Sequence, residues 1–180
     1  MDDLRLPRGV ATAPAGPVEV NFDGACEPAR GGGIATYGYT VHGGGLHHED
    51  RGLAVPPFHP RATNNVAEYV AAICALEWLV RQGFDGEVVL QGDSQLVIRQ
   101  MEGAYAVRAE HLKPYHERLR QLEARFRRVE FRWIRREENA RADALSKEAI
   151  EDARSQVSGS RAPGSAGAGT DQSEPDDEPG

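Results

Sequence analysis

The chain has 180 residues, of which 39% are hydrophobic, and a formal net charge of −7. This length and composition fit one compact domain with loose ends, and the longest apolar run, residues 70–80, is too short to span a bilayer. Two cysteines are too few for a disulfide framework, and the first residues lack the pattern of a secretory signal, so we expect a cytoplasmic protein.

The charge is distributed unevenly along the chain. Residues 105–141 carry ten Arg and one Lys against six Glu, whereas residues 158–180 carry five acids and one Arg. A basic stretch of this kind is most often a solvated helix face, but it also suits nucleic acid. Residues 1–17 and 157–180 offer little to bury. We therefore expect a flexible lead-in, one folded domain over residues 18–156 and a disordered acidic tail.

The first half of the domain predicts a meander of strands followed by a helix. Alternating apolar residues predict a strand at residues 18–25, and a second and a third strand are expected at residues 34–42 and 46–54. Gly43–Gly45 suit the hairpin turn between the last two strands. The proline-rich residues 55–63 predict a loop. Apolar residues at helical spacing then predict a helix over residues 64–82, which ends at Gly83.

The second half alternates helices with strands. The pattern predicts two further strands, at residues 87–91 and 129–134, and three further helices, at residues 94–101, 108–126 and 140–154. The order βββαβααβα favours an α/β fold with a five-stranded mixed sheet flanked by helices. Functional sites in such sheets form beyond the ends of the strands.

Four carboxylates occupy positions that suggest a site. Asp23 ends the alternation in VEVNFDGAC, Asp93 follows the fourth strand, and Glu68 and Asp143 lie near the starts of two helices. Each has an ordinary structural explanation. Asp23 before a glycine is typical of a turn, and Glu68 has the spacing of a capping box with Asn65. Asp93 suits a helix cap, and Asp143 complements a helix dipole.

Taken together, the four acids favour a metal site. A mixed sheet can gather strand ends and helix starts at one edge, and four converging carboxylates repel one another unless a cation offsets their charge. Mg²⁺ prefers carboxylate oxygens, and two such ions roughly 4 Å apart support phosphodiester cleavage. Neither a Cys/His zinc spacing nor a P-loop motif occurs in the chain. We therefore expect two Mg²⁺ ions per site.

FDGAC, TNNVAEY, GDSQLV and NARADAL occur in this order, and together they resemble the signature of type 1 ribonuclease H. The resemblance covers residues 18–150. It implies a ribonuclease H-like fold and an endoribonuclease that uses Mg²⁺ or Mn²⁺ to hydrolyse the RNA strand of RNA–DNA hybrids, leaving 5′-phosphate and 3′-hydroxyl ends. It also implies that Asp23, Glu68, Asp93 and Asp143 are both catalytic and metal-binding, with Asp23 bridging the two ions.

The same resemblance implies where the substrate binds. The carboxamides of Asn64 and Asn65 would lie in the minor groove, because an amide both donates and accepts hydrogen bonds, as a 2′-hydroxyl does. Backbone amides after the first acid would contact RNA 2′-hydroxyls, and Thr63 would hold a DNA phosphate. The implied substrate-binding residues are Gly24, Ala25, Cys26, Thr63, Asn64 and Asn65. We expect a monomer that binds nucleic acid and no membrane.

The chain departs from many bacterial members of that family at two places. Residues 103–108 lead directly into a helix where those relatives insert a basic protrusion, and residues 135–139 lack their mobile histidine. The candidates to replace this histidine are Arg135, Arg136, Glu137 and Glu138. An alternative is therefore a module that binds the hybrid or double-stranded RNA with weak or no turnover. A junction resolvase or exonuclease of the same fold is a third hypothesis, which the TNNxxE motif disfavours.

Overall fold

The structure is a computed structural model that describes residues 16–29 and 32–159. Most of the predicted lead-in and residues 160–180 of the predicted tail lie outside the described residues. The described strands are β1 (Val18–Glu27), β2 (Ile34–Gly43), β3 (Leu46–Leu53), β4 (Glu87–Gly92) and β5 (Arg128–Trp133). The described α-helices are α1 (Asn64–Arg81), α2 (Gln95–Met101), α3 (Lys113–Glu123) and α4 (Ala140–Gly159).

The strands form one mixed sheet in the order β3-β2-β1-β4-β5. Strand β2 runs antiparallel to β1 and β3, and β4 runs parallel to β1 and β5. The predicted five-stranded sheet flanked by helices is confirmed. Strand β1 pairs with β4 only from Val18 to Asn21, but it pairs with β2 as far as Glu27. Among the described strands, none pairs with the second half of β1 on the β4 side.

Several boundaries differ from those expected. Strand β1 continues to Glu27, because the residues after Asp23 keep their pairing with β2, so Asp23 lies within the strand rather than at its end. A 3₁₀ turn precedes α3, which starts at Lys113 with a proline in its first turn, where proline's missing N–H costs nothing. Helix α4 extends to Gly159, three residues beyond the expected end of the domain.

The main core lies between the sheet and helices α1 and α3. Val20 and Phe22 of β1, Leu76 of α1 and Leu119 of α3 are all buried in one apolar cluster. Helix α4 packs against β1, β2 and β3. Among the described residues, no helix combines the length and apolar character needed to cross a membrane. The central strands β1, β2 and β4 are thus buried, whereas the edge strands β3 and β5 are partly exposed.

Candidate active site

Two glycines on neighbouring strands let two helices approach β1. A Cβ on Gly24 would lie 2.2 Å from the backbone nitrogen of Glu68, and a Cβ on Gly38 would lie 2.6 Å from that of Ser146. Gly38 is the register partner of Asp23, and successive residues of a strand face opposite sides of the sheet. Helix α1 therefore packs on one side of β1 and α4 on the other, both close to Asp23. This close approach explains why glycine follows the acid.

The four acids predicted from the sequence line one cavity of about 420 Å³. Asp23 comes from β1, Glu68 from α1 and Asp143 from the first turn of α4, while Asp93 follows the end of β4. The remaining lining residues are Gly24, Ala25, Cys26, Glu27, Ala29, Asn64, Arg136, Lys147 and Ile150. The structure thus brings together acids that are up to 120 positions apart in the chain.

Asp23 is the most enclosed of the four acids, with 9% of its surface exposed. Ser146 Oγ donates a hydrogen bond of 2.5 Å to Asp23 Oδ2. Burial raises the pKa of Asp23 to about 6. The Ser146 hydrogen bond opposes this rise in pKa, and the carboxylates of Asp93 and Asp143 add to it. Ionised Asp23 is therefore held at an energetic cost that a nearby cation would offset.

Glu68 is held by two donors. Ser94 Oγ donates to Glu68 Oε2 at 2.5 Å, and Asn64 Nδ2 donates to Glu68 Oε1 at 2.9 Å. Burial raises the pKa of Glu68 to about 7. The hydrogen bonds from Ser94 and Asn64 oppose this rise, while Asp23 and Asp93 increase it by repulsion. Glu68 therefore shares with Asp23 an environment that disfavours its charged form.

Asp143 differs from these two acids because two cations contact it. Arg136 Nη2 donates to Asp143 Oδ1 at 2.8 Å, and Lys147 Nζ donates to Asp143 Oδ2 at 2.6 Å. Burial by itself would raise the pKa of Asp143, but the hydrogen bonds from Lys147 and Arg136 outweigh it, and the pKa is lowered. Asp143 is therefore ionised throughout the neutral range.

Asn139 is a site residue that the sequence did not reveal. Its side chain is 1% exposed, and its Nδ2 donates both to Asp93 Oδ1 and to the carbonyl oxygen of Phe22, each at 2.9 Å. Its Oδ1 accepts from Asn21 Nδ2 at 3.1 Å, and Asn21 Oδ1 accepts from Gln91 Nε2 at 3.0 Å. These amides link β4, β1 and the turn before α4 to Asp93. An asparagine just before a helix ordinarily signals a cap, so its position alone gave no indication of this role.

We expect Asn139→Ala to lower the free energy of unfolding by about 2–3 kcal/mol, because it leaves buried polar atoms of Asn21, Asp93 and Phe22 without their partner. Urea denaturation measures this loss. The matched control is Gln121→Ala, which truncates an exposed amide on α3 and should change stability by less than about 0.5 kcal/mol. Equal stability of the two variants would contradict the role given to Asn139.

The ordinary explanations for the acids mostly fail in the structure. Thr63, not Asn65, is the N-cap of α1, where its Oγ1 accepts from the Val66 N–H at 3.3 Å, and Glu68 lies beyond the first helical turn. The capping-box explanation was therefore wrong. Likewise Ser94, not Asp93, caps α2. The turn explanation for Asp23 was wrong because the strand continues through it. Only the position of Asp143, in the first turn of α4, agrees with its ordinary explanation.

The residues expected to bind substrate divide into two groups. Four of them line the cavity, namely Gly24, Ala25, Cys26 and Asn64. Thr63 and Asn65 flank Asn64 at the start of α1 but are not part of the cavity wall. Cys26 is buried, and its Sγ lies 3.3 Å from the carbonyl oxygen of Ala62, as expected for a packed side chain.

The donor set of the cavity fits a hard divalent cation, since it contains four carboxylates and two of them are destabilised in their charged form. As the side chains lie, however, no three Asp, Glu, His or Cys residues of the described ranges are placed to hold one ion jointly. Each acid instead contacts its own donors. Those donors are Ser146, Ser94, Asn64, Asn139, Arg136 and Lys147. A bound cation must therefore compete with these hydrogen bonds.

Comparison with known proteins identifies similar chains. A family model described as reverse transcriptase-like matches residues 21–149. A ribonuclease HI from Halobacterium salinarum is 41% identical over 140 residues, which cover 77% of this chain and 66% of that protein. The crystal structure of RNase H1 from the same archaeon is 38% identical, with a TM-score of 0.66, and the match covers 76% of this chain and 99% of that one.

Two further relatives agree with this result. Bifunctional protein Rv2228c of Mycobacterium tuberculosis is 38% identical over 91 residues, which are 51% of this chain and 25% of that protein. The structure of its N-terminal RNase H domain is 31% identical to this chain, with a TM-score of 0.68. The match covers 78% of this chain and 98% of that domain. LC11-RNase H1, isolated from compost and solved in complex with an RNA/DNA hybrid, is 34% identical to this chain, with a TM-score of 0.67. The match covers 76% of this chain and 99% of that one. The chain thus spans slightly less than two thirds of one full-length relative and a quarter of the other, but nearly all of the solved domains.

Proposed function

Because this chain belongs to the type 1 ribonuclease H family, we propose that it is an endoribonuclease that hydrolyses the RNA strand of RNA–DNA hybrids. The observation that carries the proposal is the convergence of four acids, from four separate elements, on one cavity. LC11-RNase H1, which is 34% identical to this chain, was solved with an RNA/DNA hybrid bound. The same class of substrate is therefore the first to test here.

We propose that Asp23, Glu68, Asp93 and Asp143 hold two divalent ions, Mg²⁺ or Mn²⁺. Such ions, when bound, supply an activated water and offset negative charge on the leaving oxygen, which gives 5′-phosphate and 3′-hydroxyl products. The raised pKa values of Asp23 and Glu68 support this assignment, because both acids gain most from a neighbouring cation. Ser146, Ser94 and Asn139 orient the carboxylates by donating hydrogen bonds to them.

Arg136 is the proposed substitute for the missing loop histidine. Of the four candidates in this loop, only Arg136 lines the cavity. The hydrogen bond to Asp143 raises the pKa of the guanidinium still further above its usual range, so Arg136 keeps its proton throughout. Its contribution is therefore electrostatic, as a fixed positive charge near a phosphate, rather than the transfer of a proton.

We expect Arg136→Gln to lower kcat on the hybrid by about tenfold or more, since it removes a charged donor from the cavity. Steady-state hydrolysis of the hybrid measures this effect. Arg135→Gln is the matched control, because Arg135 is exposed and lies outside the cavity wall. A larger loss of kcat in Arg135→Gln than in Arg136→Gln would contradict the choice between them.

We propose that the substrate lies across the cavity and the start of α1. Among the described strands, only β2 pairs with β1 beyond Asn21, and Gly24 and Cys26 line the cavity, which supports contacts of their backbone with 2′-hydroxyls. Asn64 already donates one hydrogen bond to Glu68, which gives it a second role in positioning that acid. Asn65 would then face the minor groove, and Thr63 a DNA phosphate.

We also propose that the protein acts as a monomer in the cytoplasm. One copy of the chain supplies all four acids of the cavity, so the site needs no second subunit. The proposed compartment follows from the sequence, whose two cysteines are too few for a disulfide framework.

Digestion of an end-labelled RNA–DNA hybrid in Mg²⁺, in Mn²⁺ and in EDTA tests the proposed activity. We expect cleavage of the RNA strand with either ion and none in EDTA. An all-RNA duplex of the same sequence tests the breadth of the activity, and an all-DNA duplex serves as the control. Tight, salt-dependent binding of the hybrid without product in either ion would favour the binding module over the enzyme.

A further inference from the structure

The loop between β3 and α1, residues 54–63, presents an aromatic ring to solvent at a strained position. Phe58 is 62% exposed, more than any other exposed large hydrophobic residue of the described chain. Its φ is 62°, and it is the only non-glycine residue with a positive φ in the described ranges. This region crowds the Cβ of an L residue, whereas glycine occupies it without strain. A phenylalanine at this position is therefore unfavourable for two reasons, because its backbone is strained and its apolar ring is exposed to water.

Backbone hydrogen bonds anchor the loop that carries the ring. The Phe58 N–H donates to the carbonyl oxygen of Gly33 at 2.7 Å, and the Gly32 N–H donates to that of Ala62 at 2.9 Å. Three prolines further restrict the loop. The backbone that carries the ring is thus anchored before any partner binds, which lowers the entropic cost of using this loop in binding.

The location and charge of this loop indicate nucleic acid as the partner. The loop ends at Thr63, the N-cap of α1, and Asn64 beside it lines the cavity. Residues 54–63 contain no acid but include His59 and Arg61, in a chain whose net charge is −7. An exposed aromatic ring near an arginine, in a loop without acids, suits a polyanion that also offers flat apolar surfaces, which describes the sugars and bases of nucleic acid.

We propose that Phe58 is a nucleic-acid contact and that its ring packs against a sugar or base of the bound hybrid beside the cavity. The inference rests on the proposed function, since it takes the hybrid as the ligand of the neighbouring site. Binding then buries apolar surface that stays exposed in the protein alone. Strained backbone of this kind clusters at active sites and ligand-binding sites.

Two substitutions separate a contact from a structural effect. Phe58→Ala removes the ring and keeps the strained conformation, whereas Phe58→Gly removes both. We expect both variants to bind the hybrid about tenfold more weakly, the amount that corresponds to burying part of a phenylalanine side chain. Phe58→Gly should nevertheless melt about 2–4 °C higher than Phe58→Ala, because glycine relieves the strain. Phe58→Tyr should retain the affinity of the wild type.

Fluorescence anisotropy of a labelled hybrid in EDTA, over a series of salt concentrations, measures these affinities without cleavage. Loss of an apolar contact should weaken binding equally at every salt concentration, so the slope of log Kd against log salt stays that of the wild type. Leu53→Ala, which truncates an exposed apolar side chain on β3 outside the loop, is the control and should bind as the wild type does.

The proposal is overturned if both variants bind as tightly as the wild type. It is also overturned if Phe58→Gly recovers the affinity that Phe58→Ala loses, because the residue would then act only on the conformation of the loop. A wild-type protein that neither binds nor cuts the hybrid would contradict the proposed function together with this contact. If the wild type cuts the hybrid and both Phe58 variants bind it as tightly as the wild type does, only the proposed contact is contradicted.

Discussion

Asp23→Asn is expected to abolish hydrolysis of the hybrid while raising the melting temperature of the protein. The loss of activity should exceed about a hundredfold, since even residues that only orient metal ligands cost 10–100-fold when they are changed. The gain in stability follows from burial. An amide of the same shape can still accept the Ser146 hydrogen bond, but it carries no charge to desolvate and no repulsion from Asp93.

Two measurements on the same preparations check this expectation. Steady-state cleavage of a labelled hybrid in Mg²⁺ gives the activity, and thermal unfolding in EDTA at pH 8 gives the stability. Asp85→Asn is the matched control, because it makes the same chemical change at an exposed acid outside the cavity. Wild-type turnover by Asp23→Asn would remove Asp23 from the catalytic set. A lower melting temperature would show that its carboxylate stabilises the fold.

In EDTA the wild-type protein is expected to lose stability as the pH rises from 5 to 8. The pKa of Asp23 rises from 3.8 to about 6 on folding, and that of Glu68 rises from 4.5 to about 7. Between these values the folded state binds more protons than the unfolded state, so the free energy of unfolding falls with increasing pH. The two pKa shifts together correspond to a decrease in the free energy of unfolding on the order of 2–4 kcal/mol between pH 5 and pH 8.

Asp143, the other carboxylate of the cavity whose pKa shifts on folding, does not change the direction of this pH dependence. The pKa of Asp143 is lowered on folding, so its stabilising contribution is lost only as the pH falls below about 4, outside the range of the experiment. Urea denaturation at several pH values measures the profile. The double variant Asp23→Asn with Glu68→Gln should show a flatter profile than the wild type. Equal stability of the wild type at pH 5 and pH 8 would contradict the unfavourable burial of the two acids.

Addition of millimolar Mg²⁺ at pH 8 should restore part of the lost stability, because an ion that binds only the folded protein stabilises it by mass action. The double variant provides the control, since it lacks two of the proposed ligands and should respond less to the ion. A response of the same size in both proteins would indicate that the ion binds elsewhere.

Local patterns in the sequence determined the elements of this fold. Alternation with period two defines the first half of β1, and helical spacing of apolar residues defines α1, because each pattern depends only on neighbours within a few positions. The four acids that line the cavity could also be selected from the sequence, since each stands in a short motif. The ends of elements were less certain. Strand β1 continues past Asp23 because of its pairing with β2, which the residues after Asp23 do not reveal.

Only the tertiary structure decided how the site is assembled. Asn139 contacts Asp93 across 46 positions of sequence, and Ser146 contacts Asp23 across 123, so neither pair has a local signature. The place of Arg136 in the cavity wall and the positive φ of Phe58 likewise depend on packing. The sequence alone determined which elements form and which acids they carry, because those properties follow from short-range periodicity. Which side chain holds each acid, and at what cost in burial, depends on contacts between residues far apart in the chain.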